Sequence, residues 1–265
     1  MSRYRLGWYE LKKSESGDWL VKFPLGDVYS KIIDQAFPKL NHIGWRSSTK
    51  SNSYTYIKET NAIEIKQLEK FLDLLKERIV LRLNKNLDCY FKDELDQCFA
   101  LDYNWEVPDT YTGVGELEYE AKYKKDIESI ERLAEILAFF SSEHPNFKEA
   151  NFITAVPGNP GKSFHLPDFL VKKMGEYMMR DVGLDLRKVK TTPQLKNLSF
   201  KDKVEALKDS FSLGENVKNQ TVLLIDDLYQ SGTTMWTLAK FLKENGAIRV
   251  YGLACVKSWR DSDNI

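Results

Sequence analysis

The sequence predicts an α/β protein, a Rossmann-like parallel sheet flanked by helices, preceded by an α+β amino-terminal region. Three observations carry this. Segments with helical and strand periodicity alternate after residue 125, the apolar run 222–225 leads straight into paired acids and a Gly/Thr turn, and residues 1–110 lack that alternation. The Pro/Gly/Asp/Tyr-rich stretch 102–118 separates the two patterns. The division expected from composition is therefore 1–110 and 111–265.

In chain order, Tyr4–Leu11 and Trp19–Phe23 form a hairpin about the turn residues Ser14–Asp18. The polar stretch Ser47–Ser53 is expected as an exposed loop. Ile65, Leu68, Leu72, Leu75 and Ile79 recur at helical spacing, which predicts one long amphipathic helix over 61–83. Beyond the boundary the pattern gives a helix at 125–140, a strand at 152–156, a helix at 166–180, a strand at 187–191 and a strand at 222–225. A helix at 233–244, stopped by Asn245-Gly246, and a strand at 248–256 complete it. Right-handed crossovers between parallel strands put ligand sites at the carboxyl ends of the strands, where Val156-Pro157 and Asp226-Asp227 should meet.

The chain has 265 residues, 42% of them hydrophobic, which is enough for a sizeable core. Lys plus Arg and Asp plus Glu number 39 each, so net charge argues for neither nucleic acid nor an anionic membrane as an obligate partner. Cys89, Cys98 and Cys255 have neither disulfide-framework nor zinc-site spacing and are expected as reduced thiols. A charged amino terminus and the lack of a long apolar run predict a cytoplasmic protein with no membrane partner.

Burying two adjacent acids is costly, so Asp226 and Asp227 should project from the strand end toward solvent or a ligand. Gly232 permits close backbone approach, and the hydroxyls and amides of Ser231, Thr233 and Thr234 at a helix start make an anion cradle. A ribose 5-phosphate offers the matching diol and phosphate. A nucleotide P-loop would instead need Gly-Lys-Ser/Thr at this turn, where Gly232 is followed by Thr233-Thr234. Pro157, Gly158, Asn159 and Lys162 form a second turn suited to a polyphosphate, and the lysine-rich segment 190–208 suits a lid carrying cations. His165 reads as a helix-start residue, and Trp259 and Arg260 as candidates to line an acceptor pocket.

Residues 222–234 resemble the phosphoribosyl pyrophosphate signature of type I phosphoribosyltransferases. Over 117–256, Leu117–Tyr123, Ile153–Pro157, Thr191–Leu195 and Ser210-Phe211 give an order most similar to the competence-protein ComF family. The resemblance implies that Asp226 and Asp227 hold the ribose hydroxyls and act in catalysis. It implies that Leu228, Gln230, Ser231, Gly232, Thr233 and Thr234 join them in binding the ligand, and that 157–162 takes the pyrophosphate. It further implies transfer of ribose 5-phosphate to an unidentified acceptor, such as a nucleobase, with magnesium held by substrate oxygens and water rather than by protein ligands. A homodimer is implied too, and a protein or nucleic-acid partner for residues 1–110 if the chain is instead a ComF-like accessory protein or a regulator that binds without turnover. Tyr229 and Gln230 depart from the signature, the family's zinc-finger cysteines are missing, and no RxxN-type element precedes Phe211.

Overall fold

The computed structural model describes residues 5–24, 26–47, 52–58, 62–82, 89–92, 94–193, 195 and 198–259. They group into two compact units, residues 1–79 with 143–148, and residues 80–142 with 149–265. The stretch 80–110, placed in the amino-terminal region by composition, thus groups with the second unit.

In the first unit β1 (Glu10–Lys13) and β2 (Trp19–Pro24) make the expected hairpin. Its turn is closed by Ser14 N donating to Asp18 O at 2.7 Å. After α1 (Gly26–Ala36) come β3 (Arg46–Ser47) and β4 (Asn52–Ile57), giving an antiparallel sheet of order β1-β2-β4-β3. Alternation along β4 buries Ser53, Thr55 and Ile57 and leaves their neighbours partly exposed, the period-two pattern of a one-sided sheet. The next helix, α2 (Ala62–Lys76), buries Ile65, Leu68, Phe71, Leu72 and Leu75 along one stripe. It is shorter than the 61–83 helix expected, because Ile79 and Val80 leave the helical path to form the short strand β5. Two β-branched residues gain more from ladder pairing than from another helical turn. Residues 83–88 lie outside the described residues.

In the same unit His144 is fully buried, stacked on Phe147 with ring centroids 4.1 Å apart and edge-on to Phe71 at 5.0 Å. Burial drives its pKa down to about 3.

The second unit is built on parallel strands. β6 (Gln97–Tyr103) enters first, followed by the small hairpin β7 (Trp105–Val107) and β8 (Thr110–Tyr111). Then come α3 (Gly113–Tyr119), a π-helical turn (Glu120–Lys124), α4 (Ile127–Glu143), β9 (Phe152–Ala155) and α5 (Leu166–Met178). β10 (Leu186–Lys188), α6 (Phe200–Leu207) and β11 (Phe211–Leu213) lead to β12 (Thr221–Tyr229), α7 (Thr233–Glu244) and β13 (Arg249–Lys257). The sheet order is β5-β6-β13-β12-β9, with β6, β13, β12 and β9 mutually parallel. β10 does not join it and pairs antiparallel with β11.

Val222 to Ile225 and the facing Val250, Leu253, Ala254 and Cys255 have no exposure, as befits strands covered on both faces. Each such side chain contributes about 1.5–3 kcal/mol by leaving water. Phe140 of α4 packs on Phe99 of β6. Met235 of α7 lies over Gly252 of β13, where an added Cβ would overlap Met235 Sδ and Cys98 Sγ. Glycine at 252 therefore sets how closely α7 sits on the sheet. Among the described residues no helix is long and apolar enough to cross a membrane, and the three cysteines are free thiols.

Candidate functional site

The acidic pair is not a loose strand end. β12 remains in register with β13 through Asp226↔Ala254 and Leu228↔Val256 to Tyr229↔Lys257, so both acids belong to a paired strand. Successive side chains on a strand leave opposite faces, and the two carboxylates diverge accordingly. Asp226 lines a cavity of about 130 Å³ together with Leu228 and the whole of 229–234. Asp227 Oδ2 is 3.0 Å from Lys122 Nζ, and Lys122 is 3.1 Å from Glu118 Oε1. The acids were expected to project from the strand end toward solvent or a ligand; Asp226 lines the cavity and Asp227 meets Lys122.

The electrostatics of the four groups follow from that geometry. Burial and the adjacent charge of Asp227 push the Asp226 pKa well above the usual carboxylate range, while its Oδ1 accepts from Asp227 N at 3.0 Å. Burial likewise raises Glu118. Burial works against the Lys122 ammonium, but the carboxylates of Asp227 and Glu118 outweigh it and keep the ammonium charged. The arrangement presents a hydrogen-bonding acid at 226 beside an ion-paired carboxylate at 227.

The turn that follows is held from beneath. Tyr229 is 2% exposed, its hydroxyl accepts from Trp236 Nε1 at 2.9 Å, and its ring fills the space under Gly232. Gly232 has φ +75° and caps α7, where the first amides of a helix lack intrahelical partners. The Ser231 and Thr233 hydroxyls are 2.8 Å apart and bonded to each other, so the amides and Thr234 are the parts of the turn best placed for an anion. Lys203, from the lysine-rich segment, is buried and lines the same cavity.

The second turn lies beside the first, since Val156 N donates to Ile225 O at 2.8 Å as β9 ends. Asn159 ties it to the 190s: its Nδ2 donates to Thr192 O at 2.9 Å, and its Oδ1 accepts from Thr192 N and Oγ1. Lys188 Nζ donates to Thr192 Oγ1 at 2.7 Å. Pro157 and Gly158 lead into the turn, with Gly158 against the His165 ring, and Lys162 is exposed. His165 occupies the N-cap position of α5 without a side-chain cap bond and sits 3.0 Å from Asp168 Oδ2.

Burial, and then the like charge of Lys162, bring the Lys188 ammonium down to about 8. A folded-state pKa below the ordinary lysine value means the charged form is disfavoured below pH 8 and the penalty is relieved as pH rises toward 10.5. An anion between the two ammonium groups relieves it at neutral pH instead. Inorganic pyrophosphate titrated at pH 7 and pH 9 is expected to lose affinity at the higher pH as Lys188 discharges. Lys188→Arg, charged throughout, should flatten that loss, and equal pH profiles for the two proteins would remove Lys188 from the site.

Of the residues expected from sequence, Asp226, Leu228, Gln230, Ser231, Gly232, Thr233 and Thr234 line one cavity, while Asp227 is turned toward Lys122. Asn159 joins the 190s segment rather than that cavity. Trp259 N donates to Asn104 Oδ1, and Arg260 lies outside the described residues. Glu118, Lys122, Lys188 and Thr192 were not singled out as ligand groups, whereas Lys203 belongs to the lysine-rich segment expected to carry cations. Glu118 and Lys122 look in sequence like any surface i,i+4 pair, and nothing local marks their contact with a strand more than a hundred residues away.

No protein-family model matches the chain, and no curated protein matches it. Similar solved structures include a hypoxanthine phosphoribosyltransferase from Staphylococcus aureus, with 14% identity and a TM-score of 0.32 over 48% of this chain and 62% of that one. An HGPRT-ase from Leishmania tarentolae in complex with GMP gives 12% and 0.28 over 48% and 63%. An allosteric regulatory enzyme of purine biosynthesis gives 14% and 0.33 over 90% and 45%. The chain spans less than two thirds of the length of each of these three.

Proposed function

We propose that the protein is a phosphoribosyltransferase of the type I kind that binds 5-phosphoribosyl 1-pyrophosphate and transfers ribose 5-phosphate to an acceptor such as a nucleobase. One observation carries this reading. Asp226 and the 230–234 turn share a cavity at the carboxyl end of β12, next to a β9 turn supplied with Lys162 and Lys188. That combination supports a ligand with a sugar hydroxyl, a monophosphate and a diphosphate. The closer likeness to the ComF family, and the role of residues 1–110 as hood or partner dock, rest on the sequence.

In the proposed reaction the ribose C1–oxygen bond breaks, its electron pair leaves with pyrophosphate, an acceptor nitrogen forms the new bond to C1, and the proton that nitrogen gives up passes to the departing pyrophosphate or to water. Positive charge builds on the ribose ring, and the Asp227 carboxylate is the charged member of the pair that can stabilise it electrostatically. Asp226 holds a hydroxyl, the 230–234 amides hold the phosphate, and Lys162 and Lys188 neutralise the leaving group.

Magnesium prefers several oxygen donors in octahedral array. The acidic pair does not fit that demand, because Asp227 faces the Lys122 ammonium and burial favours the neutral form of Asp226. Magnesium enters this reading only as a companion of the ligand's diphosphate.

A second reading, a regulator that binds the ligand without turnover, is favoured by the engagement of Asp227 with Lys122 and by the mutual bonding of Ser231 and Thr233. Calorimetry with 5-phosphoribosyl 1-pyrophosphate, paired with a pyrophosphate-release assay over a nucleobase panel, separates the two. Asp226→Ala should weaken binding by about tenfold or more, the range expected for a lost hydrogen bond to a charged or buried partner. Unchanged affinity in that variant would remove the pair from the ligand site, and binding without release in the wild type would leave the regulator.

A further inference from the structure

Lys122 has no ligand-binding role in the reading above, yet its ammonium engages two carboxylates beside the site. It lies in the π-helical turn 120–124, a geometry often found where a helix is bent to functional use. Its ammonium reaches Asp227 Oδ2 at 3.0 Å and Glu118 Oε1 at 3.1 Å, with side-chain exposures of 27%, 16% and 7% for Lys122, Asp227 and Glu118. The groups facing it are Glu118 from α3 and Asp227 from β12, with Asp226 close enough to feel its charge and Cys255 of β13 beside the same acids.

Without that ammonium three carboxyl groups would crowd a largely enclosed space, an arrangement that protein interiors avoid. With it, the ammonium bridges the Asp227 and Glu118 carboxylates, and Asp226, whose neutral form burial favours, is left to hydrogen-bond. A divalent cation brought to Asp227 would have to expel the ammonium or sit against it. Two cations that close repel each other even in bulk water, the more so when one is divalent.

We propose that Lys122 is a positioning residue that serves as the built-in counter-cation of the Asp226–Asp227 pair, so that a ribose diol is held there without a divalent metal. This rests on the phosphoribosyl reading and deepens it. The resident charge fixes Asp227 toward α3 and leaves Asp226 as the acid that meets the sugar. Any metal requirement then belongs to the diphosphate alone.

Ribose 5-phosphate, which has the diol and the phosphate but no diphosphate, is the probe. Its affinity is measured by calorimetry in EDTA and in magnesium for wild type, Lys122→Met, Lys122→Arg and Glu118→Gln, with thermal melts to establish folding. Wild type, Lys122→Arg and Glu118→Gln should bind equally well in both buffers. Lys122→Met should lose about tenfold or more in EDTA, comparable to removing one partner of a buried ion pair, and recover in magnesium as the metal takes over the vacated position. Lys122→Gln, a neutral donor, replaces it if methionine prevents folding.

A merely structural lysine would lower stability without creating dependence on magnesium. The inference is overturned if wild type binds ribose 5-phosphate only with magnesium, or if the uncharged variant binds in EDTA as wild type does. If wild type binds the probe in neither buffer, the phosphoribosyl reading itself fails and takes the role of Lys122 with it.

Discussion

Gly232→Val is expected to lower affinity for ribose 5-phosphate by about a hundredfold, roughly 2.7 kcal/mol. Two effects add. A non-glycine residue at φ +75° carries a strain of about 1–2 kcal/mol, more when β-branched. The new Cβ also overlaps the Tyr229 hydroxyl and ring, which cannot yield easily because Trp236 Nε1 holds the hydroxyl at 2.9 Å and the ring is buried. The turn must open or Tyr229 must leave, and either moves the amides of the 230–234 turn, which the proposed function assigns to the phosphate. Tyr229→Leu in the same chain makes room and should restore part of the affinity, with backbone strain as the remainder. Calorimetry on the two variants divides the terms, and an unaltered affinity in Gly232→Val would show that this turn does not hold the phosphate.

Acid should destabilise the protein through His144. Its folded-state pKa of about 3 lies below the ordinary value of 6.5, so the folded state excludes a proton that the unfolded chain accepts. The contribution is intact above pH 6.5 and is lost as pH falls through 6.5 toward 3. By pH 5 the loss is about 2 kcal/mol. His144→Phe keeps the stack on Phe147 but removes the ring nitrogen that accepts from Asn146 N at 3.3 Å, so it should be the less stable protein at pH 7. The gap between the two should narrow by about 2 kcal/mol at pH 5. Denaturant unfolding at both pH values measures it; a constant gap would mean that His144 takes up its proton in the folded state.

The carboxyl-terminal half was the more legible part of the sequence because its signals are local. The 233–244 helix and its Asn-Gly stop, the 152–155 strand and the 249–257 strand follow from periodicity and punctuation within a few residues. Segments defined by distant partners were harder to read. Gln97–Tyr103 joins the parallel sheet only through β13, and Ile79-Val80 leaves a helical pattern for a ladder. The strand expected at 187–191 is found at 186–188, and its antiparallel pairing with 211–213 outside the main sheet was not expected.

The site shows the same divide. The 226–234 segment announces itself because its acids, glycine and hydroxyls are contiguous. Lys122 and Lys188 reach the site through folding alone, and each resembles any surface lysine until its neighbours are known. Even within the contiguous segment, sequence implied a strand ending at Ile225, whereas pairing to Tyr229 sends the two acids apart.

Gly252 bears on the 230–234 turn through the helix above it. Because no side chain stands between β13 and Met235, α7 rests at the lowest height the strands allow, and the turn that starts it inherits that height. The elevation of Gly232 relative to Asp226 is thus a dimension fixed by a missing methyl group beneath the helix.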